Sequence, residues 1–159
     1  MTSCDKTFAI IADIEGGAEL VTDQGGLTKY GISQRAFPEV DIASLTYDGA
    51  FALFKTHYWD VVKADSLPAD LAPYVVDAAF NMGPGTAIQL LQKALSVAVD
   101  GILGPQTFRA ISRANVRQLI ASFNAARVQR YQGLRDYDKV GRGWLRRVFL
   151  LCQDIGHAG

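Results

Sequence analysis

The chain has 159 residues, a length typical of one domain with a substantial hydrophobic core. Its 16 basic and 16 acidic residues cancel, so net charge gives no reason to expect a nucleic-acid partner. Cys4 and Cys152 lie at opposite ends of the chain and are too few for a disulfide framework. The two histidines, His57 and His157, are too far apart in sequence to form a metal site together. We therefore expect a monomer with no metal and no cofactor.

The amino terminus lacks the ordered regions of a signal peptide, and the apolar stretch from Phe8 to Ile14 is short and contains Asp13. No run approaches the roughly eighteen apolar residues that a membrane span requires. We expect the protein to be made in the cytoplasm, without membrane insertion. If it acts outside the cytoplasm, a separate export or release step must deliver it.

The first predicted helix covers residues 8–14 and ends at Glu15. Phe8, Ile11 and Glu15 share one face at three- and four-residue spacing, and Gly16-Gly17 ends the helix. The carboxyl end of a helix carries negative partial charge, which favours the protonated form of a nearby carboxyl group. Glu15 is therefore a candidate proton donor, although an ordinary exposed glutamate at a helix end fits the same pattern.

Residues 18–33 are predicted to form a loop or a short hairpin, because two Gly-Gly pairs permit tight turns. Cleavage of a glycosidic bond uses two carboxyl groups in different environments. Asp23, eight residues after Glu15, is a candidate for the ionised partner, and the hydroxyl of Thr28 for orienting a water or a sugar. Both residues also suit plain turn or capping roles.

The remaining sequence predicts helices and little else. Phe54 and Tyr58 lie on the inner face of one predicted helix, and Pro105 lies in the first turn of another. The predicted helices after the loop are 45–58, 69–82, 87–97, one that starts at 105, 116–134 and one that starts at 142. The predicted class is mostly α, with at most a small β-hairpin. We expect a single domain over residues 1–159.

Polar and aromatic residues provide candidates for substrate binding. Asp77 and Asn81 are one helical turn apart and share a face. Asn81 suits a hydrogen bond to a sugar, or else a cap for the glycine-rich turn that follows it. Tyr30 and Tyr58 are candidates for stacking on a sugar ring, with core packing as the alternative.

Basic residues are concentrated between Arg109 and Arg147, where the only acidic residues are Asp136 and Asp138. This concentration fits solvated helix faces. It also fits a basic surface that meets an anionic polymer such as cell wall.

Several unusual strings together resemble glycoside hydrolase family 108, the lysozyme-like N-acetylmuramidases of phages, prophages and some secretion systems. The first group is Glu-Gly-Gly from Glu15, Asp-Gln-Gly-Gly-Leu-Thr-Lys-Tyr-Gly-Ile-Ser from Asp23, Tyr-Trp-Asp from Tyr58, and Asp-Ala-Ala-Phe-Asn-Met-Gly-Pro-Gly from Asp77. The second group resembles that family's predicted peptidoglycan-binding region and comprises Leu91-Gln92, Val-Asp-Gly-Ile-Leu-Gly-Pro-Gln-Thr from Val99, and Gly-Trp-Leu-Arg-Arg-Val from Gly143.

The resemblance implies a lysozyme-like helical domain, with a catalytic part at 1–72 and a helical, peptidoglycan-binding-like part at 73–155. It implies a muramidase that acts as a phage-type endolysin, with Glu15 as its general acid and cell-wall peptidoglycan as its partner. It also exposes one departure, since family members often carry an acidic residue where this chain has Leu27. The second catalytic role then falls to Asp23, or to a water that Thr28 positions. A holin or a secretion system would give such a protein access to the periplasm.

Three other functions fit the same residues. A lytic transglycosylase needs one glutamate and no partner carboxylate, because a hydroxyl of the sugar itself attacks. A non-catalytic cell-wall-binding module would account for the Val-Asp-Gly-Ile-Leu-Gly-Pro string without any chemistry. A chitin-active enzyme is a third, weaker alternative.

Overall fold

The structure is a computed structural model that describes residues 1–23 and 26–156, without the side chain of Asp23. This part of the chain contains seven α-helices and one small sheet, so the predicted mostly-α class is confirmed. The helices are α1 Ser3–Ile14, α2 Tyr47–Phe54, α3 Ala72–Met82, α4 Pro84–Ala94, α5 Pro105–Arg113, α6 Val116–Gln132 and α7 Tyr137–Gly156. The strands are β1 Val21–Asp23, β2 Gly26–Lys29 and β3 Ile32–Ser33, paired antiparallel in the order β1-β2-β3. The sheet therefore has one short strand more than the predicted hairpin.

The chain forms two compact units, Met1–His57 and Tyr58–Gly159. The first contains α1, the sheet and α2, and the second contains the helices from α3 onward. The sequence predicts a catalytic part that ends at residue 72, and the boundary between the compact units follows His57. A π-helical turn, Lys55–Trp59, follows α2 and includes residues on both sides of this boundary. None of the helices within residues 1–23 and 26–156 is long and apolar enough to cross a membrane.

Helix α1 begins five residues earlier than predicted, because a capping box fixes its start. The side chain of Thr2 accepts a hydrogen bond from the Asp5 N–H at 3.2 Å, and the Asp5 carboxylate accepts one from the Thr2 N–H at 2.6 Å. These hydrogen bonds from Thr2 hold the pKa of Asp5 below its usual value. The prediction rested on the spacing of apolar residues from Phe8 onward, so it did not include this polar first turn.

Phe8 is the centre of the core of the first unit. Its side chain is fully buried, and its ring lies 5.0 Å from those of Tyr47 and Phe54 and 5.6 Å from that of Phe51. Such tilted aromatic contacts add to the free energy gained from burial alone. They hold α1 against α2, and so fix the position of the carboxyl end of α1 within this unit.

Helix α3 is the buried element of the second unit. Every residue from Ala72 to Ala79 is buried, which is typical of a helix covered on all sides. Pro73 lies in the first turn, where its missing N–H costs nothing, instead of inside the longer helix that the sequence predicts.

A charged cluster lies inside the core that surrounds α3. The Asp77 carboxylate is fully buried and lies 2.6 Å from Arg127 Nη2 and 2.6 Å from Arg147 Nη2. The Nε of Arg147 also donates to Asp77 Oδ1 at 3.0 Å. Burial raises the pKa of Asp77, but the Arg127 and Arg147 guanidinium groups outweigh burial and hold this pKa below its usual value.

We expect Asp77→Asn to lower the free energy of unfolding by about 3–5 kcal/mol at neutral pH, because it leaves two buried cations without an anion. Urea unfolding measures this loss, with the exposed Asp70→Asn as the control.

The same pair of variants has a pH signature. Because the Asp77 pKa is lowered in the folded state, its contribution is present above about pH 4 and is lost as pH falls through the folded-state pKa. The gap between wild type and Asp77→Asn should therefore narrow in acid. A gap that does not change with pH would contradict this account.

Candidate active site

Glu15 occupies the carboxyl cap of α1, where a Schellman motif ends the helix. The Gly17 N–H donates to the Ala12 carbonyl at 2.8 Å, and the Gly16 N–H donates to the Asp13 carbonyl at 3.1 Å. Gly16 has a φ of +95°, a conformation that L side chains rarely adopt. The two glycines of the Glu-Gly-Gly string thus determine where α1 ends, and Glu15 is the half-buried residue at that end.

The hairpin between β2 and β3 is tied to this cap. Its two-residue turn is Tyr30-Gly31, and both φ values are positive, at +53° and +76°, as in a type I′ turn. The Tyr30 N–H donates to the Gly17 carbonyl at 2.9 Å. Tyr30 is therefore brought beside the turn that follows Glu15, despite the cost of a left-handed conformation for a bulky residue.

The ring of Tyr30 is held from one side by the aromatic core of the first unit. It meets the Tyr47 ring edge-on at a centroid distance of 5.7 Å, and Tyr47 itself contacts Phe8. The Lys29 ammonium group lies 5.6 Å from the Tyr30 ring centroid. Tyr30 is half-buried in this setting, so part of its surface is open to a ligand.

Thr28 contributes a buried hydroxyl group from the middle of the sheet. Its residue pairs with Val21 on β1 and with Ser33 on β3. Its Oγ1 is buried, and the described residues give it no hydrogen-bond partner. A buried polar group without a partner costs about 1–3 kcal/mol, so this hydroxyl is poised to bind a water or a ligand group.

Asp23 ends β1, and its backbone faces Gly26 across the first hairpin. Its side chain, together with Gln24 and Gly25, lies outside the described residues. Leu27, next to the Gly26 that opens β2, is half-buried.

Asn81 lies in the last turn of α3 and is exposed. The hydroxyl of Tyr131 donates to Asn81 Oδ1 at 2.7 Å and accepts from Arg127 Nε at 2.9 Å. Tyr131 is buried, and its ring stacks on that of Trp144 with a centroid distance of 5.0 Å. A chain of hydrogen bonds and charges therefore connects the buried Asp77 to a side chain on the surface.

The other two candidate binding residues in this unit have different surroundings. The fully buried carboxylate of Asp77 is inaccessible to a polymer, so we assign it to the core and to the support of Asn81. Tyr58 is half-buried, with its ring 4.8 Å from that of Phe80, the residue before Asn81. Burial raises the pKa of the Tyr58 hydroxyl, which is therefore protonated at neutral pH.

The basic stretch from Arg109 to Arg147 divides into two groups. Arg127 and Arg147 are buried partners of Asp77, and the other basic residues of the stretch are exposed. Sequence reasoning missed these two because they are 50 and 70 residues from Asp77. The only local sequence feature that indicates their burial is that each lies on an otherwise apolar face of its helix.

A second polar network organises the Val-Asp-Gly-Ile-Leu-Gly-Pro loop. The buried Gln92 amide donates to Asp100 Oδ1 at 2.6 Å and to the Ile102 carbonyl at 3.0 Å, and it accepts from the Gly101 N–H at 2.8 Å. Gln92 also approaches Thr107 Oγ1 at 3.3 Å. This network holds the side chain of Ile102 at the surface, where it is 66% exposed.

Residues 1–23 and 26–156 contain no group of three or more His, Cys, Asp or Glu suited to a metal ion.

Comparison with known proteins gives a consistent result. Residues 8–83 match the family model described as Glycosyl hydrolase 108, and residues 86–149 match the one described as Predicted Peptidoglycan domain. The solved structure of SagA from Brucella abortus superposes with a TM-score of 0.84 at 27% identity, covering 96% of this chain and 94% of that one. No curated protein matches the chain.

We expect Gly16→Ala to lower the free energy of unfolding by about 1–2 kcal/mol, since an L side chain is disfavoured at this positive φ. A Cβ at Gly16 meets no atom of the described residues within 4 Å, so the loss measures backbone conformation. Gly143→Ala in α7 is the matched control, because its Cβ is equally free and alanine favours helix. Equal stabilities of the two variants in urea unfolding would rule out the proposed cap conformation.

Proposed function

We propose that this chain, whose residues 8–83 match the glycosyl hydrolase 108 family model and whose residues 86–149 match a predicted peptidoglycan domain, is an N-acetylmuramidase. Its substrate is the β-1,4 bond between N-acetylmuramic acid and N-acetylglucosamine in peptidoglycan. The observation that carries this proposal is the position of Glu15. It is a half-buried carboxyl group at a helix carboxyl end, locked there by a Schellman motif within the family-matched region.

Glu15 acts as the general acid in this mechanism. Its carboxyl proton goes to the leaving glycosidic oxygen as the bond from the anomeric carbon to that oxygen breaks. A water oxygen bonds to the anomeric carbon, and the proton of that water passes to a base. Each step conserves atoms and charge with water as the only co-reactant.

The base is proposed to be Asp23, with Thr28 holding the attacking water. Leu27 provides no carboxyl group, so Asp23 is the acidic residue left within this stretch of the motif. The buried Oγ1 of Thr28 has no hydrogen-bond partner among the described residues, and a bound water would provide one. Separate residues thus supply the proton, accept the proton and orient the nucleophile.

Binding of the glycan strand is proposed to use Tyr30, Tyr58 and Asn81. The two tyrosine rings provide apolar faces for pyranose rings, and Asn81 provides a hydrogen-bonding amide. The region that matches the predicted peptidoglycan domain would retain the enzyme on the cell wall. Because that substrate lies outside the cytoplasm, we infer that the protein reaches it through holin-dependent release or secretion, as a phage-type endolysin or a secreted lysin does.

Glu15→Gln should reduce the release of soluble muropeptides from purified sacculi by about 10²–10⁴-fold, the usual contribution of a general acid. Mass spectrometry of the digests measures the products, and the exposed Glu39→Gln is the control. The variant should stay folded and still bind sacculi. Substantial remaining activity would refute Glu15 as the acid.

The products also separate the alternatives. A muramidase leaves a reducing N-acetylmuramic acid end, whereas a lytic transglycosylase leaves an anhydromuramic end. A wild-type protein that binds sacculi and releases nothing would be a binding module.

Thr28→Val should separate catalysis from stability. Valine has nearly the same shape, and it removes a buried hydroxyl that has no partner among the described residues, so the free energy of unfolding should stay the same or rise. The rate of muropeptide release should fall about tenfold, equivalent to one lost hydrogen bond of about 1.4 kcal/mol. Unchanged release would mean that Thr28 has no part in placing the water.

A further inference from the structure

The hydrogen-bond chain that ends at Asn81 has a fixed direction, because its first member can only donate. The Arg127 guanidinium is permanently protonated and has no acceptor atom. Its Nε donates to the Tyr131 hydroxyl oxygen at 2.9 Å, so that oxygen acts as an acceptor there. The single proton of the hydroxyl is then directed to Asn81, 2.7 Å away.

The direction of this chain decides which way the Asn81 amide faces. A side-chain amide has an oxygen that accepts and a nitrogen that donates, and electron density alone seldom tells the two apart. Here the hydroxyl proton of Tyr131 requires the amide oxygen as its partner. Because Asn81 is exposed, its NH₂ group is what the side chain offers to a ligand.

Three features hold Tyr131 in this role. Its side chain is 1% exposed, and its ring stacks on Trp144 at an interplanar angle of 22°. Burial raises the pKa of its hydroxyl, so the donated proton is retained at neutral pH. Arg127 is fixed in turn by Asp77, at 2.6 Å. Helices α3, α6 and α7 all contribute to the chain, so it has little freedom to reverse.

We propose that Asn81 is a donor contact for the carbonyl oxygen of an N-acetyl group on the glycan strand, and that Tyr131 is the positioning residue that enforces this polarity. The proposal rests on the proposed function for its ligand. An N-acetyl carbonyl oxygen is a pure acceptor and a good partner for an NH₂ group held in this orientation. An amide free to rotate would present its oxygen part of the time and lose that contact.

The test measures the affinity of N-acetylated glycan strands, freed of stem peptides, for variants made in the Glu15→Gln protein, so that binding is observed without turnover. Asn81→Asp keeps an acceptor for the Tyr131 hydroxyl but has no NH₂, and it should weaken binding about tenfold. Tyr131→Phe keeps the ring on Trp144 but lets the amide rotate, and it should weaken binding about threefold. These changes correspond to a lost or partly lost hydrogen bond.

The double variant provides the decisive comparison. With aspartate at position 81 there is no donor to orient, so Tyr131→Phe should add nothing to the loss caused by Asn81→Asp. If Tyr131 were only a packing residue, its effect would be the same in both backgrounds. Additive losses, or wild-type affinity in Asn81→Asp, would overturn the proposal.

Two further measurements keep the outcomes distinct. Urea unfolding of each variant shows whether a loss of affinity reflects a loss of folded protein. In the catalytically competent chain, Tyr131→Phe should raise KM and leave kcat nearly unchanged. A wild-type protein that releases no product from sacculi would defeat the muramidase function but not the binding result, whereas the absence of any glycan binding would defeat the Asn81 contact itself.

Discussion

The buried carboxylate of Asp77 is the constraint on which the second unit depends. Removing a charge from water costs several kcal/mol, and only close partners and hydrogen bonds offset that cost. Arg127 and Arg147 provide them, each with a nitrogen at 2.6 Å. Since these arginines come from α6 and α7, the pairing fixes both helices against α3 in one register. A purely apolar contact would tolerate sliding, whereas a charge-assisted contact does not.

The same cluster explains why a costly polar interior can be useful. Two guanidinium groups face one carboxylate, so Arg127 keeps a donor for Tyr131 after it has paired with Asp77. The Tyr131 hydroxyl, which accepts from Arg127, in turn donates to the Oδ1 of Asn81 at the surface. A core built from leucines would pack well but would leave the exposed amide free to rotate. The stability of the fold and the chemistry of the binding surface therefore share one set of side chains.

Local features were predictable from the sequence, and long-range partners were not. The end of α1 at Glu15 follows from Gly16-Gly17, because a Schellman cap needs only neighbouring residues. The left-handed Tyr30 carries no such signal, since its conformation is imposed by the hairpin and by the Gly17 carbonyl. Helical spacing predicts Asp77 as a substrate-binding residue that shares a face with Asn81. Its real partners, 50 and 70 residues away, leave no periodic trace in the chain.

The candidate site residues of the first unit and those of the second are therefore held in place by different interactions. Around Glu15, backbone conformation fixes the geometry. Gly16 and Tyr30 both have positive φ values, and the Tyr30 N–H donates to the Gly17 carbonyl. Around Asn81, it lies in side chains that transmit the direction of a proton. A backbone conformation such as this helix cap requires particular residue types locally and does not depend on distant contacts. A short string such as Glu-Gly-Gly is therefore enough to identify it. A relay of side chains needs several distant residues at once, so it can be recognised only when their positions in space are known.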